Sequence, residues 1–103
     1  KRALNERYCR IFSEISGVSL FTEQPWARSN YWLPALFLPD EAGQKLFLEA
    51  TNNRGIATRP CWRLIPETAA FRQYPVCGDL SGARSITQRL VNLPGSPWLL
   101  ENA

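Results

Sequence analysis

The residues with most chemistry to offer lie together in Arg59-Pro60-Cys61-Trp62-Arg63. Gly55 closes a helix ahead of them, Ile56 to Arg59 is β-prone, and Pro60 stops regular pairing, so a short strand delivers these side chains to a loop. A guanidinium fork suits carboxylate or phosphate, and an indole face suits a planar group. An anionic or planar ligand is therefore one reading. The other is structural, with Arg59 and Arg63 pairing to surface acids and Trp62 plugging the core. Residue types alone leave both open. Trp26, Tyr31 and Trp32 are a second aromatic concentration, open between core packing and a ligand wall.

Other chemistries are poorly supplied. Histidine is absent, and Cys9, Cys61 and Cys77 stand far apart, which argues against a zinc site and leaves Cys61 without a base to activate it. Cys9 reads as a small core residue, and the odd count with no signal peptide points to reduced thiols in a cytoplasmic protein. The net charge is only +3, and ten arginines and two lysines are scattered among nine acids rather than clustered, which argues against a nucleic-acid partner. No apolar run approaches the roughly 20 residues of a membrane span.

The scaffold can be read from periodicity. A chain of 103 residues, 45% hydrophobic and 20% charged, has globular composition and the length of one small domain. Leu4, Tyr8, Ile11, Phe12 and Ile15 form one stripe of a helix over Ala3 to Ile15, ended by Ser16-Gly17. Val18 to Phe21 is a short strand. Asn30 to Leu38 is a longer one, which Pro34 confines to a sheet edge or a bulge. A second helix starts at an Asp40 N-cap, buries Ala42, Leu46, Phe47, Ala50 and Asn53, and stops at Gly55, which should have positive φ. Ile56 to Arg59 is the third strand. Leu64 to Gly78 is irregular, with one helical turn near Glu67 to Tyr74, and a loop of that length is more often functional than not. A third helix is capped by Asp79 or Ser81 and carries Ala83, Ile86 and Leu90. Val91 to Leu93 is the last strand, and Ser96 to Ala103 is tail, with Trp98 and Leu99 as candidates to dock.

A helix between the second and third strands resembles a split βαβ unit. The expected fold is α/β of the α+β-like kind: a small mixed or antiparallel sheet with helices mainly on one face.

Three segments together resemble a known family: Ser29-Asn30-Tyr31-Trp32-Leu33, the block from Thr51 to Trp62, and Val91-Asn92-Leu93-Pro94-Gly95-Ser96. In that order and spacing they resemble the C-terminal part of the DegT/DnrJ/StrS group of pyridoxal-phosphate sugar aminotransferases, nearest to LegC-like members acting on nucleotide-linked 4-keto sugars. The resemblance implies that residues 1–103 are a single C-terminal small domain, as in fold-type I aminotransferases. It also implies a role in cell-surface polysaccharide biosynthesis. The Schiff-base lysine and other pyridoxal phosphate contacts of such enzymes belong to a preceding large domain, so no catalytic residue, bound cofactor or transamination is expected of this chain alone. Its partners would be its own large domain, a second subunit of the parent homodimer and a sugar nucleotide. Asn30, Tyr31, Trp32, Arg59, Trp62 and Arg63 are the substrate-binding residues the resemblance implies. Relatives carry a histidine a few positions after the strand matching Ile56 to Arg59; this sequence has none. With no methionine anywhere, the chain reads as a fragment, and an apolar patch including some of Trp26, Trp32, Trp62 and Trp98 should make it self-associate. The alternative is an autonomous ligand-binding or interaction domain that shares only the fold.

Overall fold

The computed structural model describes residues 1–101, so the last two positions of the expected tail lie outside the described residues. Helix α1 (Arg2–Phe12) is followed by strands β1 (Ser19–Leu20) and β2 (Ala35–Phe37), helix α2 (Glu41–Asn53) and strand β3 (Arg59–Pro60). A 3-10 turn (Ile65–Glu67), helix α3 (Ser81–Thr87), strand β4 (Leu90–Asn92) and a second 3-10 turn (Pro97–Leu100) complete the order.

The strands form one antiparallel sheet in the order β1-β2-β4-β3. Strands β2 and β3 both run antiparallel to β4, hence parallel to each other, with α2 as their crossover. This is the split βαβ arrangement. Leu36 and Val91 face each other at the centre of the sheet, and both are fully buried. With Leu38 and Leu93 they make the core, against which Tyr8 and Phe12 of α1 and Phe47 and Leu48 of α2 pack. Both long helices therefore cover the same sheet face.

The structure corrects several sequence expectations. Helix α1 stops at Phe12, three residues early, leaving Ile11 and Ile15 about half exposed. The chain needs those residues to turn through Gly17, at φ +82°, into β1. Strand β2 is interior rather than an edge, and Pro34 precedes it instead of bulging it. As the last residue before the strand, Pro34 needs only a donor for its carbonyl, and the Leu93 N–H donates to it at 2.8 Å. Strand β3 begins at Arg59 and includes Pro60, whereas Ile56 to Thr58 form a turn. Cys61 N–H donates to Leu90 O, so residue 60 lies in the phase that points away from β4, and an edge strand tolerates a proline there.

Helix α2 starts as expected, with Asp40 Oδ1 accepting from Gly43 N at 2.7 Å, and Gly55 has φ +76°. Its buried face is rotated from the expected stripe: Gln44 is buried and Phe47, Leu48 and Thr51 are half-buried, while Ala42 and Ala50 are exposed and Leu46 is 67% exposed. The cause is polar. Gln44 Nε2 donates to Thr87 O and Leu90 O, both at 2.8 Å, and so satisfies carbonyls at the junction of α3 and β4. At α3 the cap position is Leu80, at φ +57°, rather than Asp79 or Ser81; Asp79 Oδ1 instead accepts from both the N–H and the hydroxyl of Ser81. Residues 69–79 are exposed; in place of one helical turn near Glu67 to Tyr74 the segment has the 3-10 turn Ile65–Glu67 and then a turn in which Thr68 O accepts from Phe71 N and Arg72 N.

Candidate functional site

Where the first turn of chain after β4 passes between the β2 approach and β3, a cleft of about 400 Å³ opens. Asn92 to Ser96 form its floor, Trp32 and Leu33 one wall, and Ala57, Arg59 and Trp62 the other. Three residues expected from the sequence therefore come together: Trp32, Arg59 and Trp62. The other three, Asn30, Tyr31 and Arg63, do not line the cleft.

The wall carrying Trp32 is built by a polar turn. Asn30 Oδ1 accepts the Trp32 N–H at 3.0 Å, and Ser29 Oγ accepts the Tyr31 N–H at 3.0 Å. These local bonds hold Tyr31 at φ +47°, a left-handed conformation rare for an aromatic residue. Tyr31 is buried rather than offered to a ligand: its hydroxyl accepts from Glu23 N at 3.1 Å, and the Arg2 guanidinium stands 5.3 Å from its ring centre. Glu23 in turn pairs with Arg2 and accepts the Ser29 N–H. The Arg2 bond first, and the Ser29 bond second, hold the Glu23 carboxyl at about 2, well below its ordinary 4.5. Asn30 and Tyr31 thus build the turn that presents Trp32.

The floor meets this wall at unusually close range. A methyl group on Gly95 would fall 2.6 Å from Trp32 O and 3.3 Å from Pro34 Cδ, so only glycine lets the two segments approach. Lys1 Nζ fastens the same junction, donating to Gly95 O at 2.8 Å and reaching Trp32 O at 3.5 Å.

The opposite wall is aimed by a hydrogen-bond network at the end of α2. Thr58 is buried, and its hydroxyl lies 2.6 Å from that of Thr51. Asn52 Nδ2 donates to Thr58 O at 3.2 Å and Thr58 Oγ1 at 3.0 Å, while Asn52 Oδ1 accepts from Arg59 Nη1 at 3.1 Å. Arg59 Nη1 also donates to Thr58 O at 3.0 Å. In the sequence, Thr51 and Asn52 read only as parts of a helix end. The signal that could have found them is the recurrence of Thr and Asn on both sides of the Gly55 stop, the residue types that bridge a helix terminus to the next segment.

The arrangement goes against the structural reading of the Arg-Trp loop for Arg59 and Trp62. Trp62 is 74% exposed and Trp32 58%, so neither plugs the core. Arg59 bonds neutral oxygens rather than an acid, and among the described residues no carboxylate lines the cleft. A cationic, aromatic and acid-free hollow favours anionic and planar groups.

Neither lysine offers a seat for pyridoxal phosphate. Lys1 Nζ holds the Gly95 carbonyl outside the cleft, and Lys45 Nζ pairs with Glu41 at 2.6 Å on the exposed face of α2. Among the described residues no cluster of His, Cys, Asp and Glu could hold a metal ion, and no helix is long and apolar enough to cross a membrane.

No curated protein matches this sequence. Among solved structures, the chain is similar to the aminotransferase TlmJ from Streptoalloteichus hindustanus, with a TM-score of 0.79 at 21% identity. The match covers 98% of this chain and 28% of that one, and at this identity it is a likeness of fold. The sequence profile of the DegT/DnrJ/EryC1/StrS aminotransferase family matches residues 1–103, and the chain belongs to that family.

Proposed function

We propose that this chain is the substrate-facing C-terminal domain of a LegC-like, pyridoxal-phosphate-dependent aminotransferase acting on a nucleotide-linked 4-keto sugar. The observation that carries the proposal is the convergence of Trp32, Arg59 and Trp62 on one acid-free cleft. The fraction of the similar aminotransferase that this chain covers, 28%, supports a role as one part of a longer enzyme.

In this reading Arg59 binds the diphosphate that every nucleoside-diphospho sugar carries. Its guanidinium is planar and permanently charged, and it matches two phosphate oxygens at once. The two indoles contribute flat apolar walls against the sugar or base and displace water around the ion pair, which strengthens it. Pyridoxal phosphate supplies the amino-transfer chemistry. Because neither lysine here fits a Schiff base, the cofactor belongs on the large domain of the parent enzyme, a cytoplasmic homodimer whose product enters cell-surface polysaccharide.

The test is to mix the full-length protein with a 4-keto sugar nucleotide and glutamate and follow the absorbance of the cofactor. The expected result is conversion between the aldehyde and amine forms, with Arg59→Ala raising KM for the sugar nucleotide. Absence of any absorbance change across nucleotide-linked 4-keto sugars would refute the assignment.

A further inference from the structure

Resting on the proposed reading of the cleft, we infer that Asn52 is a positioning residue that turns one edge of the Arg59 guanidinium toward the anionic group of the ligand. Arginine has five N–H donors in a fixed plane. The two on Nη1 are engaged by Asn52 Oδ1 at 3.1 Å and Thr58 O at 3.0 Å. No described residue takes those on Nε and Nη2. The Nε–Nη2 edge is the side of the fork that binds two oxygens of a phosphate in parallel, and it remains available while the other side is tethered.

Asn52 is suited to this tether because both ends of its amide are committed. Its Nδ2 donates to Leu48 O at 2.7 Å, Thr58 O at 3.2 Å and Thr58 Oγ1 at 3.0 Å, so the amide is anchored to α2 and to the buried Thr58. The orientation of Oδ1 toward Arg59 follows from that anchoring, since Nδ2 is the end that must donate. Thr58 is itself held through Thr51 at 2.6 Å. A side chain on the solvent-facing end of α2 thereby fixes a guanidinium at the cleft wall, reducing the rotamer freedom lost when a ligand binds.

The experiment is a double-mutant cycle in the full-length, cofactor-loaded protein, with pyrophosphate as the probe and calorimetry as the readout. Arg59→Ala should weaken pyrophosphate binding about tenfold or more, the scale of a charge-assisted hydrogen bond. Asn52→Ala should weaken it about three- to tenfold in the wild-type background and leave it unchanged in the Arg59→Ala background. Asn52→Leu, which keeps the size and favours the helix, should behave like Asn52→Ala and guards against a folding artefact. A residue that merely stabilises the fold would weaken binding in both backgrounds, which would overturn the inference. So would wild-type affinity in both Asn52 variants while Arg59→Ala is impaired, an outcome that leaves the proposed function standing. Unchanged binding in Arg59→Ala itself would overturn the inference together with the diphosphate reading of the cleft.

Discussion

Replacing Gly95 by alanine tests the close junction that forms the cleft. The added carbon would stand 2.6 Å from Trp32 O, about 0.7 Å inside even a close C–H···O contact, and 3.3 Å from Pro34 Cδ. Neither neighbour can give way easily, because one is backbone and the other belongs to a fully buried ring. Relief requires shifting the Trp32 turn away from the floor, and overpacking of this kind costs about 1–3 kcal/mol. The loss of unfolded-chain freedom returns roughly 0.4–1 kcal/mol, so net destabilisation of about 1–2 kcal/mol is expected. Gly82 is the control. It lies inside α3, and a methyl group added there would meet nothing within 4 Å, so Gly82→Ala should stabilise by up to about 1 kcal/mol through helix propensity alone. The two variants, chemically the same change, should differ by about 1–3 kcal/mol in urea unfolding at equal slope. Native tryptophan emission should shift in Gly95→Ala, through Trp32, and not in Gly82→Ala. Equal midpoints with unchanged emission would refute the close-approach reasoning.

Gln44→Ala should cost about 1–3 kcal/mol, because Thr87 O loses the Gln44 donor and Leu90 O keeps only the Cys61 N–H, while Leu46→Ala on the 67% exposed face should change urea stability by less than about 0.5 kcal/mol. A larger effect from Leu46 would restore the rejected helix face. Glu23 has a folded pKa of about 2 against an ordinary 4.5, so its contribution to stability is complete above about pH 4.5 and is lost as pH falls toward 2. Glu23→Gln should therefore flatten the acid limb of a stability–pH curve in that window and not above it, and an unchanged limb would show that the Arg2 pair does not form. Trp26, Trp32, Trp62 and Trp98 are each 58% exposed or more, so the 103-residue chain should self-associate in sedimentation, and Trp32→Ser with Trp62→Ser should return it to monomer. A wild-type chain that sediments as a strict monomer at high concentration would contradict this.

Legibility followed the physics of each segment. Leu4, Tyr8 and Phe12 were readable because a helix facing a core repeats its apolar residues, and Asp40 and Gly55 because caps and left-handed stops have few substitutes. The face of α2 is not legible in the sequence because Gln44 is buried for its hydrogen bonds, which apolar periodicity does not register. The edge placement of β2 failed for a related reason. A proline forbids a donor at one position only, and whether that position lies in the strand depends on where pairing begins. At the site, Trp32, Arg59 and Trp62 were legible by residue type. Tyr31 was not, since the same aromatic type serves a ligand wall or, as here, a buried prop for a turn.

By itself the sequence determined the number and order of the main elements, the split βαβ plan and the family, because these rest on local periodicity, chain punctuation and motif order. Only the tertiary structure decided that Trp32, Arg59 and Trp62 share one cleft, that Gly95 admits Trp32 to its edge, and that Asn52 holds Arg59. Those facts depend on distances between segments up to 94 residues apart, as in the Lys1 to Gly95 bond, and chain closure over such separations is set by packing rather than by any local preference.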